Sequence, residues 1–392
     1  MSDDSRFNTL IIYTSFALTV LVIFVHAFNM EYAGNLLTGI SFFTGSGSAL
    51  YQDTDGSAMA LMLLFARIEN LFSETLGQAA VPGFFMISAY LFYRNIGKRL
   101  TFDMLGKKWK SRIRSLLVPY LLWNLFYLFV NIAVDRGAVE LSPESVFFAV
   151  VNYSYNPVFW YMKQLILLTV FAPFIHAALK NRSVGAAFLI GAFLLSVFWA
   201  EIPYHIINED ALFYYMSGAY ISLHLKDRVE KRKNAGAPLI AGIMLFVLAF
   251  FLQGVNYFIQ APQNAVVVTS VVPSEHIAEA VTALTVLCRA LMPVGIFFIT
   301  EGILGYYEEK SGKEPKAPGF MKINFFIYAT HYLIIKALNK TAELLAPEFS
   351  RYYILFALYF VMPFICVFTA YGISRFLKKY LPRFWNVISG GR

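Results

Sequence analysis

The run TLIIYTSFALTVLVIFVHAF occupies residues 9–28, and no charged side chain interrupts it. A helix needs about 20 consecutive apolar residues to cross the hydrocarbon core of a bilayer, and this run is long enough. It is too long for the apolar region of a signal peptide, and no cleavage site of small residues follows it. The run therefore predicts a membrane-spanning helix that is retained in the protein.

The composition of the whole chain points the same way. Hydrophobic residues make up 58% of the 392 residues and charged residues only 14%, whereas a soluble domain carries roughly 25% charged residues. So few charges cannot cover a water-exposed surface, which excludes an ordinary soluble enzyme, a disordered chain and a secreted disulfide scaffold. Cys288 and Cys366 both lie in apolar runs, so we expect neither a disulfide framework nor a metal site.

Further apolar segments follow the first along the whole chain. None shows strand alternation, and a helix is the form in which such a segment satisfies its own backbone in lipid. The sequence therefore predicts an all-α transmembrane bundle of about ten spans, built as a single membrane-embedded domain over residues 1–392. The predicted spans are 9–30, 76–93, 115–134, 158–178, 184–203, 209–225, 238–258, 280–304, 322–342 and 352–376.

Basic and acidic residues alternate between the loops. Most of the 32 Lys and Arg residues fall in the termini and in alternate loops, while the opposite loops are acidic. Cytoplasmic loops are enriched in Lys and Arg, so both termini are predicted to be cytoplasmic in a multi-pass protein of the plasma (inner) membrane. The same pattern explains the net charge of +8, because the basic residues lie in short loops between apolar spans. We therefore expect the lipid bilayer as a partner and no nucleic acid.

The longest outer loop covers about 31–75. Its later part, 58–72, has helical apolar spacing and is expected to lie in the membrane interface or to dip back into the bilayer. Glu69 and Glu74 in this region are expected to be solvated charges on a helix.

His26 lies near the outer end of the first predicted span. One interpretation is an interfacial histidine at a helix end, which composition by itself favours. The other is a general base, because an imidazole titrates near neutral pH and can take the proton from a hydroxyl that attacks an acyl group.

Four further stretches, taken in order, carry a resemblance. The second span contains VPGFFMISAYLFY at 81–93, and the basic stretch KKWKSRIR at 107–114 runs into LVPYLLWN at 117–124. The stretch FWYMKQLI follows at 159–166, and FIYATH at 326–331. Each is weak alone, but together they cover nearly the whole chain and resemble the landmarks of the acyltransferase family 3 membrane proteins.

The resemblance implies ten spans and transfer of an acyl group, usually acetyl from acetyl-CoA, to a hydroxyl of a carbohydrate or lipid-linked glycan. It implies no cofactor besides the acyl-CoA donor, and it places the essential histidine at His26. It also implies an arginine eleven residues before that histidine, where this chain has Ser15. Either another cation substitutes, or the donor differs, or the protein is a catalytically inactive relative.

Arg289 is the best substitute, because it lies inside the eighth apolar run. An arginine at the centre of a span costs about 2.5–3.5 kcal/mol on insertion scales and usually faces a polar cavity. We therefore name it beside His26 as a candidate catalytic residue. The alternative is a structural ion pair with Glu301 or with a carboxylate of an outer loop.

The remaining candidates belong to the stretches that carry the resemblance. The candidates for substrate binding are Ser88, Trp160, Lys163, Tyr328 and His331. The candidates for binding the phosphates of acyl-CoA are Lys107, Lys108, Arg112 and Arg114. Tyr328 and His331 are one turn apart and can face one cavity. Each set has a competing interpretation. The aromatic residues can serve packing, Lys163 can be an interfacial lysine whose charged end reaches the membrane surface, and the basic loop at 107–114 can serve membrane topology alone.

A function of another class stays open. A transporter or flippase for a glycan precursor would also carry isolated charges in its spans, and it would show an inverted repeat with broken helices in corresponding positions. Pro293 and Pro363 interrupt two spans, but the sequence shows no convincing repeat. It also contains no P-loop, dinucleotide fingerprint, HExxH or CxxC motif.

Overall fold

The computed structural model describes residues 3–27, 56–97, 99–134, 139–198, 207–231, 235–261, 264–345 and 348–391. Within these ranges the chain is helical and contains no strand, so the all-α prediction is confirmed for the part that is described. Several predicted outer-loop carboxylates, at 53, 55 and 135, lie outside the described residues.

Seventeen α-helices lie in the described residues. Their bounds are α1 Asp3–Ala27, α2 Gly56–Asn70, α3 Ala80–Tyr93, α4 Phe102–Arg112, α5 Val118–Val134, α6 Pro143–Val151, α7 Trp160–Val170, α8 Ala172–Leu179, α9 Arg182–Phe198, α10 Glu209–His224, α11 Lys226–Glu230, α12 Gly236–Gln260, α13 Ala265–Thr269, α14 Ile277–Ser311, α15 Asn324–Leu345, α16 Glu348–Tyr380 and α17 Pro382–Ile388.

Six helical stretches in the described chain are long and apolar enough to cross a membrane. They are Ser5–Ala27, Leu64–Tyr93, Phe102–Val134, Gly236–Gln260, Ser274–Ser311 and Tyr353–Tyr380. The helices α7 and α8 form a further apolar pair with a bend of 65° between them. The protein is therefore a multi-pass membrane protein. A helix lies at each of the ten predicted spans, but ten crossings and the side of the termini stay predictions.

Two stretches expected to be separate from the spans are continuous with them. The expected interfacial helix at 58–72 runs through the π-helical turn Leu71–Leu76 into α3. The basic stretch at 107–114 is helical rather than a loop, and the π-helical turn Ile113–Leu117 joins α4 to α5. Hydropathy could not show this, because the polar residues in both places interrupt the apolar pattern although the backbone stays helical. Glu69 is fully buried rather than solvated.

Helices α3 and α10 approach until their backbones touch. A Cβ atom on Gly218 of α10 would overlap the carbonyl oxygen of Met86 in α3, so only glycine fits at that position. Tyr93 in the same helix is fully buried, and its hydroxyl donates to the carbonyl oxygen of Ala172 at 2.8 Å. This close packing fixes α3, which contributes residues to both cavities described below.

The C-terminal helix α17 returns to the bundle. Trp385 is buried, and its ring lies 5.0 Å from that of Phe326 in α15. The indole nitrogen of Trp123 in α5 donates to the carbonyl oxygen of Ile388 at 3.1 Å. The last residues therefore help to hold α5 and α15 together.

Candidate active site

A cavity of about 220 Å³ contains the candidate histidine. We call it the histidine cavity. Apolar residues of α1 and α3 form much of its wall, and α7, α10 and α14 complete it. Its polar and aromatic lining residues are His26, Gln78, Phe85, Trp160, Asn208, Asp210, Tyr214 and Arg289. The structure therefore brings His26, Trp160 and Arg289 together, as a shared catalytic site requires.

His26 lies in the last turn of α1 as the structure describes it and is partly buried. Its ring packs against two aromatic rings of α15. The centroid of His331 is 5.2 Å away with the rings tilted by 47°, and that of Tyr332 is 5.8 Å away with its edge toward the histidine. Packing on this side restricts the ring, while its cavity side stays open to a substrate.

Arg289 of α14 faces Asp210 of α10. The Nη1 and Oδ2 atoms are 4.0 Å apart, and each side chain is about a third exposed (34% and 31%). The carboxylate that faces Arg289 therefore belongs to the first turn of α10 and not to Glu301. This separation is longer than a hydrogen bond, so the two groups form an ion pair without a direct hydrogen bond.

The start of α10 is fixed by hydrogen bonds. The side-chain oxygen of Asn208 accepts from the amide nitrogen of Ala211 at 2.9 Å and caps the helix. The amide nitrogen of Asn208 donates to the side-chain oxygen of Gln164 in α7 at 3.0 Å. These bonds place Asp210 in the cavity wall. The sequence pattern predicts Asp210 only as one of the acidic residues of an outer loop. Asn208, two residues earlier, was the available signal, because a capping asparagine indicates that a helix begins there.

A second and larger cavity, of about 580 Å³, lies toward the N-terminal end of α1. We call it the basic cavity. It is bordered by α1, α3, α4, α7 and α15. Its polar lining residues are Ser15, Thr19, Ser88, Lys108, Ser111, Arg112, Ser115, Tyr161, Lys322, Asn324 and Tyr328. The three cations among these residues, Lys108, Arg112 and Lys322, make this cavity suitable for an anionic group.

Two of these cations come from the basic stretch and bind the end of α3. The ammonium group of Lys108 donates to the carbonyl oxygen of Phe92 at 2.7 Å, and Arg112 donates to that of Ser88 at 3.1 Å. The carbonyl group of Phe92 belongs to the last turn of α3, where intrahelical partners are missing, whereas that of Ser88 lies one turn earlier. The bonds hold both side chains at the cavity wall and leave further N–H donors for a ligand.

The other two candidates of this stretch do not line the basic cavity. Lys107 is exposed and forms an ion pair with Asp103 at 2.8 Å on its own helix. Arg114 is exposed as well. The helical period decides this division, because Lys108 and Arg112 lie four residues apart on one face.

Ser15 also lines the basic cavity. The position at which the resemblance implies an arginine therefore lies beside Arg112 and Lys108, and not in the cavity that contains Arg289. The structure thus does not place Arg289 where a side chain at position 15 would be.

Aromatic rings separate the two cavities. Phe84 and Tyr161 line the basic cavity, whereas Phe85 and Trp160 line the histidine cavity. The rings of Phe85 and Tyr161 are 4.8 Å apart. The Tyr161 hydroxyl lies 3.5 Å from the Ser88 hydroxyl on the basic side. A group that passes from one cavity to the other must cross this layer of rings, which we call the aromatic partition.

Tyr328 and His331 do not face one cavity, as their spacing had suggested. Tyr328 lines the basic cavity and donates its hydroxyl to the carbonyl oxygen of Val158. His331 is fully buried, lines neither cavity, and lies against His26. The two rings remain neighbours at a centroid separation of 5.7 Å, but only Tyr328 reaches one of the two cavities. Lys163 also lines neither cavity; its ammonium group lies 5.5 Å from the ring centroid of Tyr153.

Comparisons with known proteins bear on the family to which the chain belongs. A family described as an acyltransferase domain (Acyl_transf_3) matches residues 16–375. The succinoglycan biosynthesis protein ExoH of Rhizobium meliloti (strain 1021) is 23% identical over 337 residues, which cover 81% of this chain and 80% of that protein. No solved structure matches the chain.

The matched region begins within α1 and ends within α16. It contains all lining residues of the histidine cavity, all those of the basic cavity except Ile11, Ile12 and Ser15, and all eleven candidate residues. The chain therefore belongs to acyltransferase family 3 and is a membrane acyltransferase.

Proposed function

We propose that the protein transfers an acyl group, acetyl by preference, from cytoplasmic acyl-CoA to a hydroxyl of a cell-surface or lipid-linked glycan, with His26 as the general base. The observation that carries the proposal is the position of His26 in one cavity with Trp160, Asp210 and Arg289. A base, an aromatic face, a carboxylate and a guanidinium are the groups that bind and activate a sugar hydroxyl. The printed name of the relative, a succinoglycan biosynthesis protein, supports a polysaccharide acceptor.

The proposed topology has ten spans in a single domain, with both termini on the cytoplasmic side of the plasma membrane. In this orientation the basic cavity opens toward the cytoplasm, where acyl-CoA is made, and the histidine cavity toward the outside. Lys108 and Arg112 bind the phosphates of the donor as charge-assisted hydrogen-bond donors. Lys107 and Arg114 contribute only long-range attraction, because neither lines the cavity.

Acceptor binding takes place in the histidine cavity. Trp160 offers an apolar face for a sugar ring, and a sugar hydroxyl placed between Asp210 and Arg289 donates to the carboxylate and accepts from the guanidinium. Ser88 and Tyr328 act on the donor side, because they line the basic cavity. Lys163 lies near the outer end of α7 and would contact the part of a glycan that extends beyond the cavity.

The reaction balances with these groups. His26 takes the proton of the acceptor hydroxyl as its oxygen attacks the thioester carbonyl carbon. Arg289 stabilises the negative charge on the carbonyl oxygen in the tetrahedral intermediate. The carbon–sulfur bond then breaks, the CoA thiolate takes the proton from His26, and the ester of the glycan leaves. The thioester arm has to cross the aromatic partition to reach His26.

The test is acyl-CoA-dependent acylation of cell-surface glycan in cells that lack the protein, complemented with wild type or with His26→Ala. We expect wild type to restore ester groups and His26→Ala to fail at an equal level of membrane-inserted protein. A general base contributes about 10²- to 10⁴-fold, so near-normal acylation by His26→Ala would contradict its role. Equal acylation with and without the wild-type protein would contradict the whole proposal.

A further inference from the structure

His331 is buried directly behind His26. It lies in α15, is 0% exposed, and its ring centroid is 5.2 Å from that of His26. It lines neither cavity, so no substrate can touch it without a rearrangement of the helices. A polar ring in such a place acts through its neighbours.

The hydrogen bonds of His331 define its tautomer. Its Nδ1 atom lies 2.6 Å from the carbonyl oxygen of Tyr328. A carbonyl oxygen only accepts, so Nδ1 carries the proton and donates it. In a neutral imidazole the other nitrogen then has no proton and is an acceptor. The Nε2 atom of His331 is therefore a lone-pair acceptor.

This acceptor has no partner among the described residues. The Nε2 atom is buried and makes no hydrogen bond there. Buried polar atoms are nearly always paired, and an exception calls for an explanation. The ring of His26 lies beside it, with the two ring centroids 5.2 Å apart, and the N–H of that ring is a donor that can turn toward the Nε2 atom of His331. Such bonds are often long in the free enzyme and tighten when substrate binds.

We propose that His331 is a positioning residue that accepts the N–H of His26 at its Nε2 atom and so holds the catalytic tautomer of His26. The second nitrogen of His26 is then without a proton and faces the histidine cavity as the base. This inference rests on the proposed role of His26 as general base. It follows the general arrangement in which a third group orients the base of a catalytic pair.

The same hydrogen bond also stabilises the protonated, charged form of His26. When His26 takes the proton from the acceptor hydroxyl, its bond to His331 becomes charge-assisted and stronger. The bond from His331 to the carbonyl oxygen of Tyr328 polarises the ring in the same direction, toward greater acceptor strength at Nε2. Tyr332, edge-on to His26 at 5.8 Å, opposes a flip of the His26 ring. A relay from backbone carbonyl to His331 to His26 thus replaces the carboxylate of a typical catalytic triad.

Two substitutions separate positioning from structure. His331→Gln keeps an acceptor near the place of Nε2 but loses the donor to Tyr328. His331→Asn keeps a donor near the place of Nδ1 but loses the acceptor. Thr330→Val is the matched control, because Thr330 is a buried neighbour whose hydroxyl bonds to the carbonyl oxygen of Phe326 within its own helix.

We expect His331→Gln to keep kcat within about tenfold of wild type, and His331→Asn to lose on the order of 10²-fold or more, as for a disabled general base. The KM for acyl-CoA stays unchanged in both, and Thr330→Val keeps wild-type kinetics. A purely structural role gives the opposite order or an equal loss in both variants, and either result overturns the proposal.

A second measurement does not depend on the folding of a His331 variant. Nitrogen NMR of ¹⁵N-histidine-labelled wild-type protein in lipid nanodiscs reports which ring nitrogens carry protons. We expect His331 to be protonated at Nδ1 alone, and its Nε2 signal to shift in His26→Ala as a hydrogen bond is lost. A proton on Nε2, or no shift, overturns the inference. Acyl transfer by His26→Ala would instead contradict the proposed function. The NMR result and the activity of His26→Ala therefore test the inference and the proposed function separately.

Discussion

Arg112 offers the sharpest test of the donor site, because the chain contains its own control. Arg112 and Arg114 belong to the same basic stretch and carry the same charge, but only Arg112 lines the basic cavity. A guanidinium has five N–H donors, and one of those of Arg112 goes to the carbonyl oxygen of Ser88 at 3.1 Å. The other donors are available to a phosphate of acyl-CoA.

The expected magnitude follows from this geometry. A hydrogen bond to a charged group contributes about 1.5–3 kcal/mol, and each 1.4 kcal/mol is tenfold in affinity. Arg112→Ala should therefore raise the KM for acyl-CoA by roughly 10- to 150-fold. Arg112→Lys keeps the charge without the bidentate fork and should lie between Arg112→Ala and wild type. Arg114→Ala should leave the KM within about twofold, since exposed charges contribute little.

The assay is acyl transfer in isolated membranes at increasing acyl-CoA concentration, with protein level and thermal stability measured for each variant. Stability is needed because Arg112→Ala also removes the bond to Ser88 and the contact with the ring of Phe92, 5.7 Å from the guanidinium carbon. An equal rise of KM in Arg112→Ala and Arg114→Ala would refute a donor site in the cavity. So would a loss of kcat at unchanged KM.

Two further predictions concern the other cavity and the topology. Arg289→Ala and Arg289→Lys should lose most of the activity. Their protein levels should stay normal, because the partly exposed Arg289–Asp210 pair, 4.0 Å apart, contributes at most about 1 kcal/mol to stability. Lower expression of Arg289→Ala that Asp210→Asn restores, measured by immunoblot and thermal melting, would instead identify a structural pair. A cysteine that replaces Ser311, at the end of α14, should not react with an impermeant maleimide in intact cells, whereas a cysteine at position 57 should react. Labelling of Ser311→Cys from outside would overturn the proposed orientation.

Hydropathy and short motifs predicted the helices and the family, because both depend on residues that are neighbours along the chain. The apolar run at 9–28 became α1, a helix was found at every predicted span, and the family followed from residues such as those at 81–93. These properties are local, because a segment in lipid satisfies its backbone within itself. His26 could be named for the same reason, since one motif and one helix end determine its place.

Contacts between distant segments were decided only by the tertiary structure. Asp210 faces Arg289, Ser15 shares a cavity with Arg112, and His331 lies against His26. Each pair depends on how two helices are rotated and offset against each other. In a membrane the apolar surfaces of a helix are nearly equivalent, so small residues such as Gly218 and the buried polar groups set that rotation. The sequence by itself determined the helices and the chemistry they carry, and packing decided which groups meet.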